Sequence, residues 1–291
     1  MASISQDTPQ VRTRTLSARL RSRLPQRWYA HIILWISCII LGIPVFYAII
    51  VATQSNGEVF RYQFTLGSAF SDNWHMAFAQ RHLHDYMVNS LIMTAVITIG
   101  KTITALLAGL AFVYFRFPGK WLIFGFVLIT LMMPTEVLII ALFRLINNLN
   151  WDNTYLALTV PFLASATGAF LFRQHFASLP PELSEAAQLD GANPLQFLIR
   201  VLVPMSWNTI GAMVVVQCIY AWNMYTWPNM IISDQRLDVV QVGIGTLRAG
   251  DSAIQYGPLM LGAVIASLPP VIVFILLQKQ FMSGFSLTVD K

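Results

Sequence analysis

Two charged side chains stand inside long apolar runs of this sequence, and each costs free energy unless it is paired or faces a polar cavity. Lys101 lies near the middle of one run, and Glu136 follows Pro134 in the next. Two readings stay open. A Lys101–Glu136 contact would offset the burial cost of both charges. Alternatively, Lys101 supplies positive potential to a route taken by a phosphate-bearing solute. Farther along, "YAWNMYTWPNM" gathers Tyr220, Trp222, Asn223, Tyr225, Trp227 and Asn229. Aromatic planes pack on the C–H faces of polyols, and an amide both donates and accepts. Asn223 and Tyr225 are the pathway candidates, with interhelical hydrogen bonding as the alternative. Trp227, just before Pro228, reads as part of an interfacial aromatic belt.

A third group is polar but not membrane-embedded: "PPELSEAAQLDGANPLQFLIRVLVP", from Pro180 to Pro204. Pro180 and Pro181 suit a first helical turn, and Glu182 and Glu185 place negative charge at the positive end of the helix dipole. Ala186 and Ala187 leave a low, smooth surface that another protein could approach. Gly191 supplies the backbone freedom needed to end that helix after Asp190. Asn193 reads as an N-cap with Pro194 at N1 of a second, largely apolar helix containing Phe197, which Pro204 closes. A short helix, a bend and a second helix make a rigid docking shape; an amphipathic hairpin resting on lipid is the alternative.

No catalytic chemistry emerges. A nucleophile, base and metal constellation is lacking, and no phosphate-cradling G-x-x-x-x-G-K-[ST] sequence occurs. His75, His82 and His84 carry no reliable ligand pattern, so no metal site is expected. Cys38 and Cys218, the two cysteines of the chain, support neither a disulfide framework nor a thiolate metal site.

The elements that must position these groups are membrane spans. The 291 residues are 56% hydrophobic and only 11% charged, with mean hydropathy +0.62, against about 25% charged residues in a soluble domain. The expected class is all-α and polytopic, with six spans at about 31–53, 87–115, 121–146, 154–173, 207–232 and 258–281, each near the ~20 residues needed to cross hydrocarbon. Residues 1–30 form a basic segment, 178–204 the docking loop and 282–291 a tail. The first span is read as an uncleaved anchor, because its apolar stretch exceeds the about 7–15 residues of a signal h-region. The net charge of +5 reflects topology and not nucleic acid. Arg12, Arg14, Arg19, Arg21, Arg23, Arg27, Arg116, Lys120, Arg173, Arg200, Lys279 and Lys291 fall on one side; Arg61, Arg81, Arg144, Arg236 and Arg248 fall on the other. Both termini are therefore expected in the cytoplasm. Residues 54–86 should form short helices on the outer ends of the spans. The loop at 233–257, with Asp234, Arg236, Asp238, Arg248, Asp251, Gly243, Gly245 and Gly250, reads as mobile.

The spacing Glu185, Ala186, Ala187, Gly191, Val201, Val203, Pro204 resembles the coupling motif of bacterial ABC importer permeases. "NSLIMTAV", "YFRFPGK", "ITLMMPTEV" and "YAWNMYTWP" are similar to the second permease of the carbohydrate, maltose-type group. That resemblance implies a type I importer permease in the bacterial inner membrane. Its partners would be a second, homologous permease, two ABC ATPase subunits that hold ATP and Mg, and an extracytoplasmic solute-binding protein. It implies that Glu182, Glu185, Ala186, Ala187, Asp190, Gly191, Phe197 and Pro204 couple ATPase closure to the spans. No cofactor would be bound by this chain. "VYFRFPGK", "SATGAFLFRQ" and Lys101 are most similar to permeases for glycerol-3-phosphate or glycerophosphodiesters. A neutral sugar or oligosaccharide is the alternative within this architecture. A stand-alone secondary carrier or a membrane enzyme is the alternative outside it, although neither inverted repeats nor several intramembrane carboxylates are visible.

Overall fold

A computed structural model describes residues 28–247 and 254–285. The basic segment Arg12 to Arg27, the residues Arg248, Gly250 and Asp251, and Lys291 lie outside the described residues. Every regular element among the described residues is helical. The chain divides into two units, Met1–Tyr47 and Ala48–Lys291. In the first, the described residues belong to helix α1 (Trp28–Ala52), whose Ile33, Leu34, Trp35, Leu41 and Phe46 are all exposed. A helix apolar on all sides suits lipid contact.

The second unit is built around α2 (Leu83–Tyr114), a 32-residue helix about 48 Å long at 1.5 Å per residue. Gly119, at φ 74°, opens α3 (Lys120–Leu131) after the Pro118 break. Pro134, extended at ψ 131°, separates α3 from α4 (Thr135–Asn148). The helix α5 (Tyr155–Thr159) and a 3₁₀ turn (Val160–Phe162) lead to α6 (Ala166–Ala177). Next come α7 (Glu182–Leu189) and α8 (Pro194–Phe197). They precede α9 (Trp207–Trp222), α10 (Thr226–Ile231), α11 (Val240–Leu247) and α12 (Tyr256–Phe285).

Among the described residues, three helices are long and apolar enough to cross a membrane: Trp28–Ala52, Leu83–Tyr114 and Tyr256–Ser283. The number is five if each of two bent pairs forms one span, Tyr155–Phe162 with Ala166–Ala177 (40°) and Pro194–Met205 with Trp207–Trp222 (83°). The chain is thus a polytopic helical membrane protein, but three of the six expected segments are not single helices. Segment 121–146 breaks at Pro134, which has no N–H to donate and an extended ψ. Segment 154–173 breaks where Ser165 begins a new cap. Segment 207–232 breaks at Asn223, whose Nδ2 donates to the Ile219 carbonyl at 2.8 Å, and Pro228 follows within the next helix.

Close helix packing rests on small residues. A β-carbon on Gly109 would stand 2.8 Å from Cβ of Phe172, and one on Gly168 would stand 2.7 Å from Cβ of Ala105, so α2 and α6 meet backbone to backbone. Likewise α9 lies along α2 and α12. At the Leu83 end of α2, residues 54–86 form the expected short helices, Asn56–Phe60 and Phe70–Trp74, with a π-turn at His75–Gln80. The 233–247 region is not the loose connector expected from its glycines and charges. Asn89 donates to the carbonyls of Arg236 and Asp238 at 2.8 and 2.9 Å, Ser90 Oγ accepts from Val240 N–H at 2.7 Å, and Gly243 fits against the Tyr86 ring.

Candidate functional site

At the Tyr114 end of α2 lies the two-helix element expected for docking. Gly191 sits at φ 72°; its N–H donates to the Gln188 carbonyl at 3.0 Å, and Ala192 N–H donates to the Ala187 carbonyl at 2.9 Å. That pair of bonds is a Schellman ending, and Gly is favoured there because the left-handed conformation carries no Cβ penalty. Asn193 caps α8 through Gln196 N–H at 2.8 Å, and Gln196 Oε1 accepts from Asn193 N–H at 3.0 Å, a reciprocal capping box. Pro181 occupies the N-cap of α7, one position ahead of the first turn expected for it. Pro204 does not close the second helix. A π-helical turn at Leu198–Leu202 is followed by Val203–Met205, with Pro204 inside it, and the path bends only after Ser206. Ser206 Oγ donates to the Leu202 carbonyl at 2.6 Å.

The two alanines face opposite ways. Ala187 is buried in an apolar cluster with Leu110, Phe176, Phe197 and Leu202, whereas Ala186 is exposed. Phe197 is also buried, edge-on to Tyr114 at 5.0 Å between centroids, so it anchors the element from behind instead of presenting itself to a partner. The outward face of α7 carries Glu182, Glu185, Ala186 and Leu189, with Asp190 at its end. Leu189 is 89% exposed and was not singled out from sequence; its i+4 spacing from Glu185 was the available signal.

Midway along α2, Lys101 is 7% exposed. Its Nζ donates to Gln217 Oε1 on α9 at 3.0 Å and stands 4.2 Å from the Tyr220 ring centroid. The Gln217 amide nitrogen lies 3.4 Å from Ser165 Oγ, which caps α6 by accepting Gly168 N–H at 3.0 Å. Thr104, one turn along α2, donates to the Leu163 carbonyl at 2.7 Å and pins that bend beside Lys101. Lys101, Ser165, Thr167, Gln217 and Tyr220 line one cavity of about 470 Å³. Among the described side chains no carboxylate forms an ion pair with Lys101. The expected Lys101–Glu136 contact falls on a side chain outside the described ones. Gln217 and Ser165 were missed because an isolated Gln and Ser in apolar sequence look like ordinary helix polar residues.

A second cavity of about 340 Å³ is lined by Phe162, Tyr220, Asn223, Tyr225 and Trp227, and it shares Phe162 and Tyr220 with the first. Asn223 and Tyr225 are both exposed on its wall. Trp227 is not an interfacial belt residue. It is 2% exposed, and its indole N–H donates to the Ala157 carbonyl at 3.0 Å, fastening α10 to α5. On the far end, His82, His84 and Asp85 come within 4.8 Å of one another at the exposed surface, and both histidines approach the Asp85 carboxylate, at 3.7 and 3.3 Å.

This arrangement, a helical membrane domain with a cavity beside a buried cation and a capped two-helix element at one end, is that of a transport permease. Residues 101–286 match the family described as "Binding-protein-dependent transport system inner membrane component". The chain belongs to that family and is a multi-pass inner-membrane permease. It is 38% identical over 265 residues to the sn-glycerol-3-phosphate transport system permease protein UgpE of Pectobacterium atrosepticum, covering 88% of this chain and 94% of that protein. Against the protein of the same name from Agrobacterium fabrum it is 34% identical over 275 residues, covering 91% and 98%. A chain of a solved bacterial ABC transporter involved in the import of the acidic polysaccharide alginate shares the fold. Its TM-score is 0.75 at 20% identity, over 94% of this chain and 99% of that one.

Proposed function

We propose that this chain is a translocation subunit of an ATP-driven importer that carries sn-glycerol-3-phosphate or a closely related phosphate-bearing solute. The observation that carries the solute is Lys101, a buried cation held by an amide on the wall of a cavity. Such a charge lowers the barrier for an anion and does little for a neutral sugar. The named relatives point the same way. The chain itself hydrolyses nothing: ATP and Mg belong to a partner ATPase pair, a second permease completes the pathway, and a solute-binding protein delivers the cargo. Element 178–204 faces the cytoplasm, as do both termini, and receives ATPase closure through the outward face of α7. The 83° bend at Ser206 passes that push into α9, which carries Gln217, Tyr220 and the break at Asn223. The loops at 54–86 and 233–257 face outward, toward the binding protein.

The test is uptake by the complex reconstituted in proteoliposomes, with labelled glycerol-3-phosphate, glycerophosphocholine and maltose compared. Uptake of the phosphate-bearing solutes and not maltose is expected. Preference for maltose would reject the anionic reading.

A further inference from the structure

The hydrogen-bond bookkeeping around Lys101 defines more than a diffuse positive potential. A lysine ammonium can only donate, so the Gln217 oxygen must face it and the Gln217 NH₂ must turn toward Ser165. Ser165 Oγ already accepts from Gly168 N–H as the cap of α6 and faces that NH₂, which leaves its hydroxyl hydrogen to donate. Ala164, Ser165, Ala166 and Thr167 line the same cavity, so the start of the 12-residue α6 opens onto it. The first N–H groups of a helix have no internal acceptor and lie at the positive end of its dipole. Ammonium, amide N–H, hydroxyl and helix start thus present donors to one space, in a volume within the about 300–1,000 Å³ usual for small-molecule sites.

We propose that Lys101, Gln217, Ser165 and the N-terminus of α6 form a tetrahedral-oxyanion site, at which the phosphoryl group of the solute pauses during passage. Gln217 is its positioning residue: it holds the ammonium in place and directs the remaining donors into the cavity. This rests on the anionic-solute reading above and adds a location, a donor set and a residue that sets them.

Charge order separates this site from a structural Lys–Gln contact. Gln217→Glu keeps an acceptor for Lys101 but neutralises the ammonium and removes the N–H donors; Gln217→Leu keeps the positive charge and loses the amide. An anion site predicts that Glu is worse than Leu, with at least a tenfold loss of glycerol-3-phosphate uptake for Glu. A structural contact predicts the reverse, because Glu retains the hydrogen bond, and uptake in Gln217→Glu equal to or above that in Gln217→Leu overturns the proposal. Should both variants fail to assemble, Ser165→Asp preserves the helix cap while turning the donor into an anion; uptake at the wild-type level in that variant overturns it equally.

Equilibrium dialysis of radiolabelled inorganic phosphate against the purified complex provides a readout independent of the transported solute. The difference between wild type and Gln217→Glu isolates this site from phosphate held by the ATPase subunits. A saturable component that weakens at least tenfold in Gln217→Glu supports the site. If that component is present but glycerol-3-phosphate is not taken up, the solute assignment fails and the site stands. If no such component is found, the site falls even when uptake is normal.

Discussion

Lys101 shows how, among the described side chains, a costly residue is met by uncharged partners. Its ammonium exchanges water for the Gln217 carbonyl oxygen and the face of Tyr220, and a cation over an aromatic ring contributes about 0.5–2 kcal/mol depending on desolvation. Lys101→Met removes the charge and leaves Gln217 Oε1 without its donor, a loss of about 1–3 kcal/mol if the site stays dry. The expected outcome is assembled complex with glycerol-3-phosphate uptake reduced at least tenfold and unchanged affinity of the separate binding protein, measured by flux and by titration of that protein. Because Gln217 is the partner observed, adding Glu136→Gln to Lys101→Met should restore nothing. Recovered uptake in the double mutant would instead establish a Lys101–Glu136 pair.

The elements on either side of this residue divide the work between rigidity and bending. In α7, burial of Ala187 and the Schellman bonds at Gly191 hold the helix against the apolar cluster behind it, while Leu189 stands free. A β-carbon on Gly191 would meet nothing within 4 Å, so the cost of substitution is backbone strain alone, about 1–2 kcal/mol for most residues in the left-handed region. Gly191→Asn should therefore keep coupled transport and Gly191→Val should lose it. The measurement is ATPase stimulation by loaded binding protein in proteoliposomes, and equal behaviour of the two variants would remove the conformational argument. Leu189→Asp changes an exposed side chain and should leave the permease folded while weakening copurification of the ATPase. Undiminished copurification would place the contact elsewhere on the loop.

Across the whole molecule, the two ends of α2 carry different kinds of surface. At the Leu83 end, Asp238 is 7% exposed among Asn89, Ser90 and the start of α11. Burial, and then the nearby Asp234 carboxylate, push its pKa up to about 6 from an ordinary 3.8. The folded state thus favours the protonated form. That contribution to stability is full below about pH 3.8 and is lost as the pH rises through about 6. The apparent melting temperature of the purified complex should fall between pH 5 and 7, and Asp238→Asn should flatten that slope. An unchanged slope would mean that Asp238 is not the group responsible. Orientation is checked by labelling: with Cys38 and Cys218 replaced, a cysteine at the exposed Ala186 should react with an impermeant maleimide from the cytoplasmic side, and one at the exposed Ser71 from the outside.

What the sequence determined by itself is local or compositional. The apolar runs reported membrane spans because about 20 apolar residues have few other stable solutions in a cell. The 180–194 stretch reported one helix with its end and the start of a second, because caps and left-handed turns depend on neighbours within four residues. Gly191, Asn193 and Pro194 accordingly stand where their chemistry placed them. The tertiary structure decided everything that depends on which face meets which. Ala186 and Ala187 differ only in direction, and Trp227 is buried because α5 offers it a carbonyl 70 residues away in the chain. The loop at 233–247 is held by Asn89 and Ser90, which no local pattern announces. Lys101 was visible as an anomaly, but its partner Gln217 is 116 residues distant. Only the packing of α2 against α9 and the start of α6 turns three scattered polar residues into one set of donors around a cavity.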